Sequence, residues 1–199
     1  EKYAGMTGAQ VETGCEAIGI DSGKKLVSVR TEDGSVFEES YDKLIIATGA
    51  APFVPDVEGV SLAGVFCVRT PDDAVAIRAY AEKNNCRRAV VCGAGFIGLE
   101  VAENLLSLKM DVTVIDAAPQ IMPNAFDEEM AGYAKKQLKA SGMRILTSAA
   151  LKGIGGEGHV ERVTIDNGVL PADLVILAIG VRPATGFLEG CGLEMFKGT

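Results

Sequence analysis

Residues 89–100 read AVVCGAGFIGLE, and residues 112–116 read VTVID. The apolar run 89–92 has the length and composition of a buried strand. It breaks into Gly93, Ala94, Gly95, Phe96, Ile97 and Gly98, after which a helical pattern runs through Leu108. A GxGxxG turn between a strand and a helix is the setting in which a dinucleotide is bound. Gly93 permits the tight turn, Gly95 lets a pyrophosphate approach the main chain, and Gly98 lets helix and strand pack closely. Free N–H groups and the positive dipole end at the helix start then face the phosphates. Asp116 closes the second strand, eighteen residues past Gly98, where a carboxylate can accept both hydroxyls of an adenosine ribose. Two other readings stay open: a glycine turn kept for packing alone, and a methyltransferase-type S-adenosylmethionine site, which usually has a differently spaced glycine cluster.

Working outward, Thr70-Pro71-Asp72-Asp73 is a helix start, with a capping hydroxyl, a proline in the first turn and two acids at the positive end. That helix is expected to run to about Lys83, with Ala74, Ile77 and Tyr80 or Ala81 on one face. Beyond VTVID, residues 127–141 form a second amphipathic pattern whose stripe, Phe126, Met130, Tyr133, Ala134 and Leu138, is expected in the core. Residues 143–147 and 173–179 read as further buried strands. Between them lies a small antiparallel piece, roughly 151–154, 159–165 and 169–170. The order strand, helix, strand, helix, strand, antiparallel insertion, strand predicts an α/β fold, a Rossmann-like domain with a parallel sheet over about residues 52–180. Ligands of such sheets bind beyond the carboxyl ends of the strands. Gly93, Asp116 and Gly180 all fall there, so one cleft should hold all three. Residues 10–50 read as short antiparallel strands, at about 11–20, 25–31 and 35–39, with an Asp33-Gly34 hairpin signal and a fully buried strand at 44–47.

The remaining composition narrows the function. The chain has 199 residues, 48% of them apolar, so a sizeable core is available. A net charge of −8 opposes nucleic-acid binding. No apolar run reaches membrane-spanning length and no signal peptide opens the chain, so no membrane role is expected. Five scattered cysteines without a CxxC pair give no metal-ligand spacing and suit a reduced, cytoplasmic protein. The only histidine, His159, lies in a glycine-rich turn and reads as a solvated hairpin residue rather than a base.

Three stretches together, YDKLIIATGAAP at 41–52, VVCGAGFIGLEVAENL at 90–105 and ADLVILAIGVRPAT at 172–185, resemble the flavin-dependent pyridine nucleotide-disulfide oxidoreductases. The nearest likeness is to the NADH oxidase, NADH peroxidase and coenzyme A-disulfide reductase branch. In that family an NAD domain interrupts a flavin domain. The resemblance implies that residues 1–51 are part of the flavin domain, 52–180 the NAD-binding domain, and 181–199 the start of the return to the flavin domain. The chain is thus expected to be a fragment or domain of a larger enzyme. It should bind NAD(H), with FAD held only in the full-length enzyme, and none of its cysteines matches the family's redox position.

The resemblance also implies residue roles. Phe96 stands where the family carries an aromatic that covers the flavin, Ile97 should line the nicotinamide pocket, and Glu100 should accept the nicotinamide carboxamide N–H. The bland alternatives are a surface or core aromatic at Phe96 and a surface glutamate at Glu100. Gly180 lets backbone approach the cofactor, with Val181 or Arg182 beside it; Thr48 and Gly49 would pass near the FAD phosphates. Asp116 would repel a 2′-phosphate, so NADH is expected over NADPH. The implied chemistry is hydride transfer from NADH to FAD, with oxygen, peroxide, a disulfide or an iron-sulfur protein as final acceptor. The implied partners are NADH and the remainder of the flavin domain, with a homodimer as one expected assembly. A stand-alone NAD-binding regulatory module is the alternative from another class.

Overall fold

The computed structural model describes Gly5 and residues 8–195 of the chain. It divides into two compact units, Glu1–Ala50 with Pro183–Thr199, and Ala51–Arg182. In the smaller unit, β1 (Cys15–Asp21), β2 (Leu26–Thr31) and β3 (Val36–Ser40) form an antiparallel meander in that order, with a bulge between Ala17 and Gly19. The turn at Asp33-Gly34 forms because Gly34 adopts φ +85° and the Asp33 carboxylate accepts from the Ser35 N–H at 3.0 Å. None of the meander's residues is buried. Leu188, in a 3-10 turn at Gly186–Leu188, is the unit's one buried side chain among the described residues.

Residues 44–47 were expected to be a buried strand, and the structure corrects this. They carry no strand, and Ile45 is 89% exposed. A strand is held by hydrogen bonds to a neighbour. No described strand pairs with 44–47, so apolar content alone leaves the segment open.

The chain passes between the units along two short strands, β4 (Ala50–Pro52) and β13 (Val181–Pro183), which are hydrogen-bonded neighbours. The larger unit then adds β5 (Val65–Cys67), α1 (Pro71–Lys83), β6 (Arg88–Cys92), α2 (Phe96–Ser107), β7 (Asp111–Ile115), α3 (Glu128–Ala140) and β8 (Arg144–Leu146). A second set of strands follows, β9 (Leu151–Gly155), β10 (Arg162–Ile165), β11 (Gly168–Pro171) and β12 (Leu174–Leu177). Strands β5-β12-β6-β7-β8 make a five-stranded sheet whose pairings are all parallel. Strands β9 to β11 make an antiparallel sheet of their own.

Successive residues of a strand point to opposite faces, and both faces of the parallel sheet are covered. On one side Ala89, Val91, Val112, Val114, Leu174 and Ile176 pack with Ile77 of α1 and with Leu99, Ala102 and Leu105 of α2. On the other side Val90, Cys92, Ile115, Val175 and Leu177 pack with Ile154, Val163 and Leu170 of the antiparallel sheet. This explains why the core strands read as unbroken apolar runs. Strand β5 was not anticipated: three residues inside GVFCV are too short to show a pattern, and it exists because β12 offers it an edge.

The stripe expected on the helix after VTVID is also corrected. Met130 and Tyr133 are exposed, Ala131 is buried, and Phe126, Ala134 and Leu138 are partly buried. Residues 131, 134 and 138 follow the i, i+3, i+7 spacing of the packed face. Met130 and Tyr133 each lie one residue earlier, about 100° around the helix.

The starts of β6 and β12 are locked together. Asp173 accepts hydrogen bonds from the Arg87 and Arg88 N–H groups, both at 2.9 Å, and pairs with the Arg88 guanidinium. The Asp173 N–H donates to the Arg88 carbonyl at 2.9 Å. These contacts set Leu174 opposite Ala89, so Leu177 and Cys92 finish level at the other end. The Arg88 hydrogen bond, helped by the two backbone N–H groups, holds the Asp173 carboxyl at about 2, against an ordinary 3.8. Its stabilisation is therefore complete above the ordinary carboxylate range and is lost as pH falls toward 2. Asp173→Asn should cost about 1–2 kcal/mol at pH 7. Urea unfolding of both proteins should show that gap narrowing between pH 5 and pH 2.5; a gap that stays constant would remove the carboxylate from this role.

Candidate functional site

The carboxyl ends of β6, β7 and β12 open into one cleft of about 460 Å³, lined by Cys92, Gly93, Gly95, Ile115, Asp116, Pro123, Asn124, Ala149, Ala178 and Gly180, among others. The structure thus brings Gly93, Gly95, Asp116 and Gly180 together. A larger cavity of about 680 Å³ lies at the opposite strand ends, beside Arg88 and Asp173. There those two charges neutralise each other, and parallel sheets bind ligands at the other end.

The three glycines of the turn do different physical work. Gly93 sits at φ +109°, and a Cβ there would lie 2.2 Å from the Ala178 carbonyl oxygen. A Cβ on Gly98 would lie 2.0 Å from the Gly93 carbonyl oxygen. Both positions are places where main chains touch. Gly95 differs: a Cβ there meets nothing within 4 Å, so the space in front of it is free.

Helix α2 begins at that free space. Helix α1 is closed by a Thr70–Asp73 capping box, and α3 by the Asp127 carboxylate, which accepts the Met130 N–H at 2.9 Å. Helix α2 starts at Gly95 with no side-chain cap and no acid in its first turn. Its first N–H groups and its dipole are left for an anion. Met122, with φ +51°, donates its N–H to the Ala94 carbonyl at 2.9 Å, and the Gly93 N–H donates to the Ile115 carbonyl at 2.8 Å. The turn is anchored before any ligand arrives.

Asp116 is half-buried in the cleft wall. Its Oδ2 accepts the Ala94 N–H at 2.6 Å and its Oδ1 accepts the Ala118 N–H at 2.8 Å. Each carboxylate oxygen has two lone pairs, so one per oxygen remains for hydroxyl donors. Burial pushes the Cys92 thiol up to about 12, which makes it a neutral apolar part of the wall. His159 is exposed, its Nδ1 3.0 Å from the Glu157 carbonyl oxygen.

The other candidate residues lie elsewhere. Phe96 and Ile97 are exposed on the first turn of α2, 67% and 47% respectively, and Glu100 is exposed one turn further. Val181 is exposed within β13. Thr48 and Gly49 belong to the smaller unit, where the Thr48 hydroxyl donates to the Ala184 carbonyl at 2.9 Å and Gly49 takes φ +68°. Sequence reading missed Ala94, Pro123, Asn124 and Ala149. Their one common signal was position, in segments that follow the ends of parallel strands.

The split between glycines is testable. Gly95→Ala should keep the melting temperature within a few degrees while abolishing dinucleotide binding by fluorescence titration. Gly93→Ala should lose about 2–4 kcal/mol of stability through strain and backbone collision. Equal stability losses in the two variants would contradict this division.

Comparison with known proteins gives a consistent picture. The family model for pyridine nucleotide-disulphide oxidoreductases matches residues 4–199. The chain is 39% identical to an NADH oxidase of Methanocaldococcus jannaschii over 99% of its own length and 44% of that protein's. The chain therefore spans less than half the length of the curated relatives that it matches first. Among solved structures, an NAD-dependent persulfide reductase from A. fulgidus superposes with a TM-score of 0.90 at 36% identity, over 98% of this chain and 36% of that one. A water-forming NADPH oxidase bound to NADPH, engineered from the Lactobacillus brevis NADH oxidase by five substitutions, superposes with a TM-score of 0.86 at 27% identity, over 95% of this chain and 42% of that one.

Proposed function

The chain belongs to the pyridine nucleotide-disulphide oxidoreductase family, and on that premise we propose that residues 52–180 bind NADH within a flavoenzyme that passes its hydride to FAD. The observation that carries this reading is the open cradle at Gly95, where an uncapped helix start faces free space beside a carboxylate. In this reading residues 1–51 and 181–199 are parts of the flavin domain, with Thr48 and Gly49 near the FAD phosphates. The activity belongs to the whole protein, with oxygen, peroxide or a disulfide as the final acceptor.

The residues present fit a dinucleotide. The α2 N–H groups hold its pyrophosphate, and Gly95 leaves room for it. Asp116 takes the adenosine ribose hydroxyls through its two remaining acceptor positions. Apolar walls at Cys92, Ile115, Ala149 and Ala178 exclude water. Phe96, Ile97 and Glu100, exposed on the first turns of α2, serve the nicotinamide end, and Glu100 accepts the carboxamide N–H. Gly180 lets the main chain approach the cofactor, with Val181 or Arg182 beside it. When bound, NADH supplies a hydride and FAD accepts it; the protein contributes orientation and exclusion of solvent.

Cofactor choice follows from charge. A 2′-phosphate beside Asp116 would meet a carboxylate, and the described residues that line the cleft include no lysine or arginine. The engineered NADPH oxidase supports this. Its five substitutions replace a glycine, then an aspartate eighteen positions later, then the next two residues and one seven positions beyond the aspartate, introducing two arginines. That spacing matches Gly98, Asp116, Ala117, Ala118 and Pro123 here. NADH should bind the purified chain at least tenfold more tightly than NADPH, about 1.4 kcal/mol. Ala117→Arg with Pro123→Arg should raise NADPH affinity; equal affinities in the unmodified chain would remove the charge argument. Glu100→Ala should weaken NADH but not AMP. In the full-length protein, stopped-flow bleaching of flavin absorbance by NADH tests the reaction itself.

A further inference from the structure

We infer that Asp116 is a positioning residue for the pyrophosphate turn, in addition to any contact that it makes with ribose. The inference deepens the nucleotide-binding reading above and rests on it. Ala94 is fully buried, so its N–H must find an acceptor within the protein. The Asp116 Oδ2 satisfies that N–H at 2.6 Å, a bond that spans 22 residues and joins the glycine turn to the end of β7. The opposite oxygen is fixed by the Ala118 N–H at 2.8 Å, so the carboxylate is held from both sides. The Ala94 carbonyl is fixed in turn by the Met122 N–H at 2.9 Å, so both backbone groups of this residue are tied to the segment after β7.

The next residue is Gly95, where the space opens and α2 begins. The orientation of the peptide units that face the pyrophosphate thus depends on how Ala94 is held. Deleting the carboxylate would leave a buried N–H without an acceptor, and a buried orphan donor is among the costlier defects in a protein. The turn would move to hydrate it. A substitution at Asp116 that relaxes cofactor choice therefore loosens the grip on any dinucleotide, whichever sugar it carries.

The decisive measurement uses an NADH analogue whose adenosine ribose lacks both the 2′- and 3′-hydroxyls. With no hydroxyl to grip, a purely ribose-directed Asp116 would have no effect on its binding. If Asp116 positions the turn, Asp116→Ala in the full chain weakens the analogue at least tenfold, and Asp116→Asn, which retains one acceptor oxygen, falls between. Analogue affinities within twofold of the unmodified chain in both variants would overturn the inference. A second readout is the Ala94 amide. In the unmodified chain it should be protected from hydrogen exchange, and in Asp116→Asn exchange should accelerate. An Ala94 amide that exchanges freely in the unmodified chain, or whose exchange Asp116→Asn leaves unchanged, would equally overturn it. The amide arm needs no ligand, so it tests the clamp even if NADH fails to bind, which would instead sink the nucleotide reading.

Discussion

Three main chains converge at Gly93 more closely than any side chain allows. The turn leaving β6, the first turn of α2 and the end of β12 meet there, with Gly98 against the Gly93 carbonyl and Gly93 against the Ala178 carbonyl. This convergence dictates how closely α2 lies on the sheet and where its first N–H groups point. The cleft, the uncapped helix start and the reach of Asp116 all follow from it. Small residues at these two points serve packing. The freedom at Gly95 is of a different kind, because it is space kept clear rather than space filled.

The convergence is held at a distance as well. Asp173 and Arg88, at the far ends of β12 and β6, set the register that brings Cys92 and Leu177 to the same level. Burial on both faces then makes that register hard to change, since a shift by one residue would exchange the helix-facing and sheet-facing sets. Val91 and Ile176 face the helices while Cys92 and Leu177 face the antiparallel sheet. An ion pair at one end of the sheet thereby contributes to the geometry of a binding cleft at the other. The same partition lets a small antiparallel sheet cover a face where many α/β folds place helices.

Asp116 lies beside the cleft, and its hydrogen bonds join the segment after β7 to the glycine turn. In the proposed reading one carboxylate serves both discrimination between ribose and phosphorylated ribose and the preorganisation of the turn, which would couple cofactor choice to cofactor affinity at this residue.

Much of the site was legible in the sequence because it depends on local rules. The GxGxxG turn, the acid after VTVID and the apolar runs of β6 and β12 are set by backbone sterics and burial, which read directly from residue type and spacing. Gly93, Asp116 and Gly180 were expected in one cleft, and the fold places them there together with Gly95. Other features needed neighbours. Residues 44–47 have the composition of a strand but no partner to pair with, and β5 has almost no composition of its own yet is created by the edge of β12. Met130 and Tyr133 face outward because the orientation of a helix is set by what it packs on, and a one-residue offset in the stripe is invisible without that surface. The grip of Asp116 on Ala94, across 22 residues, was equally out of reach: hydrogen-bond partners between loops are chosen by the meeting of strand ends, which only the assembled sheet decides.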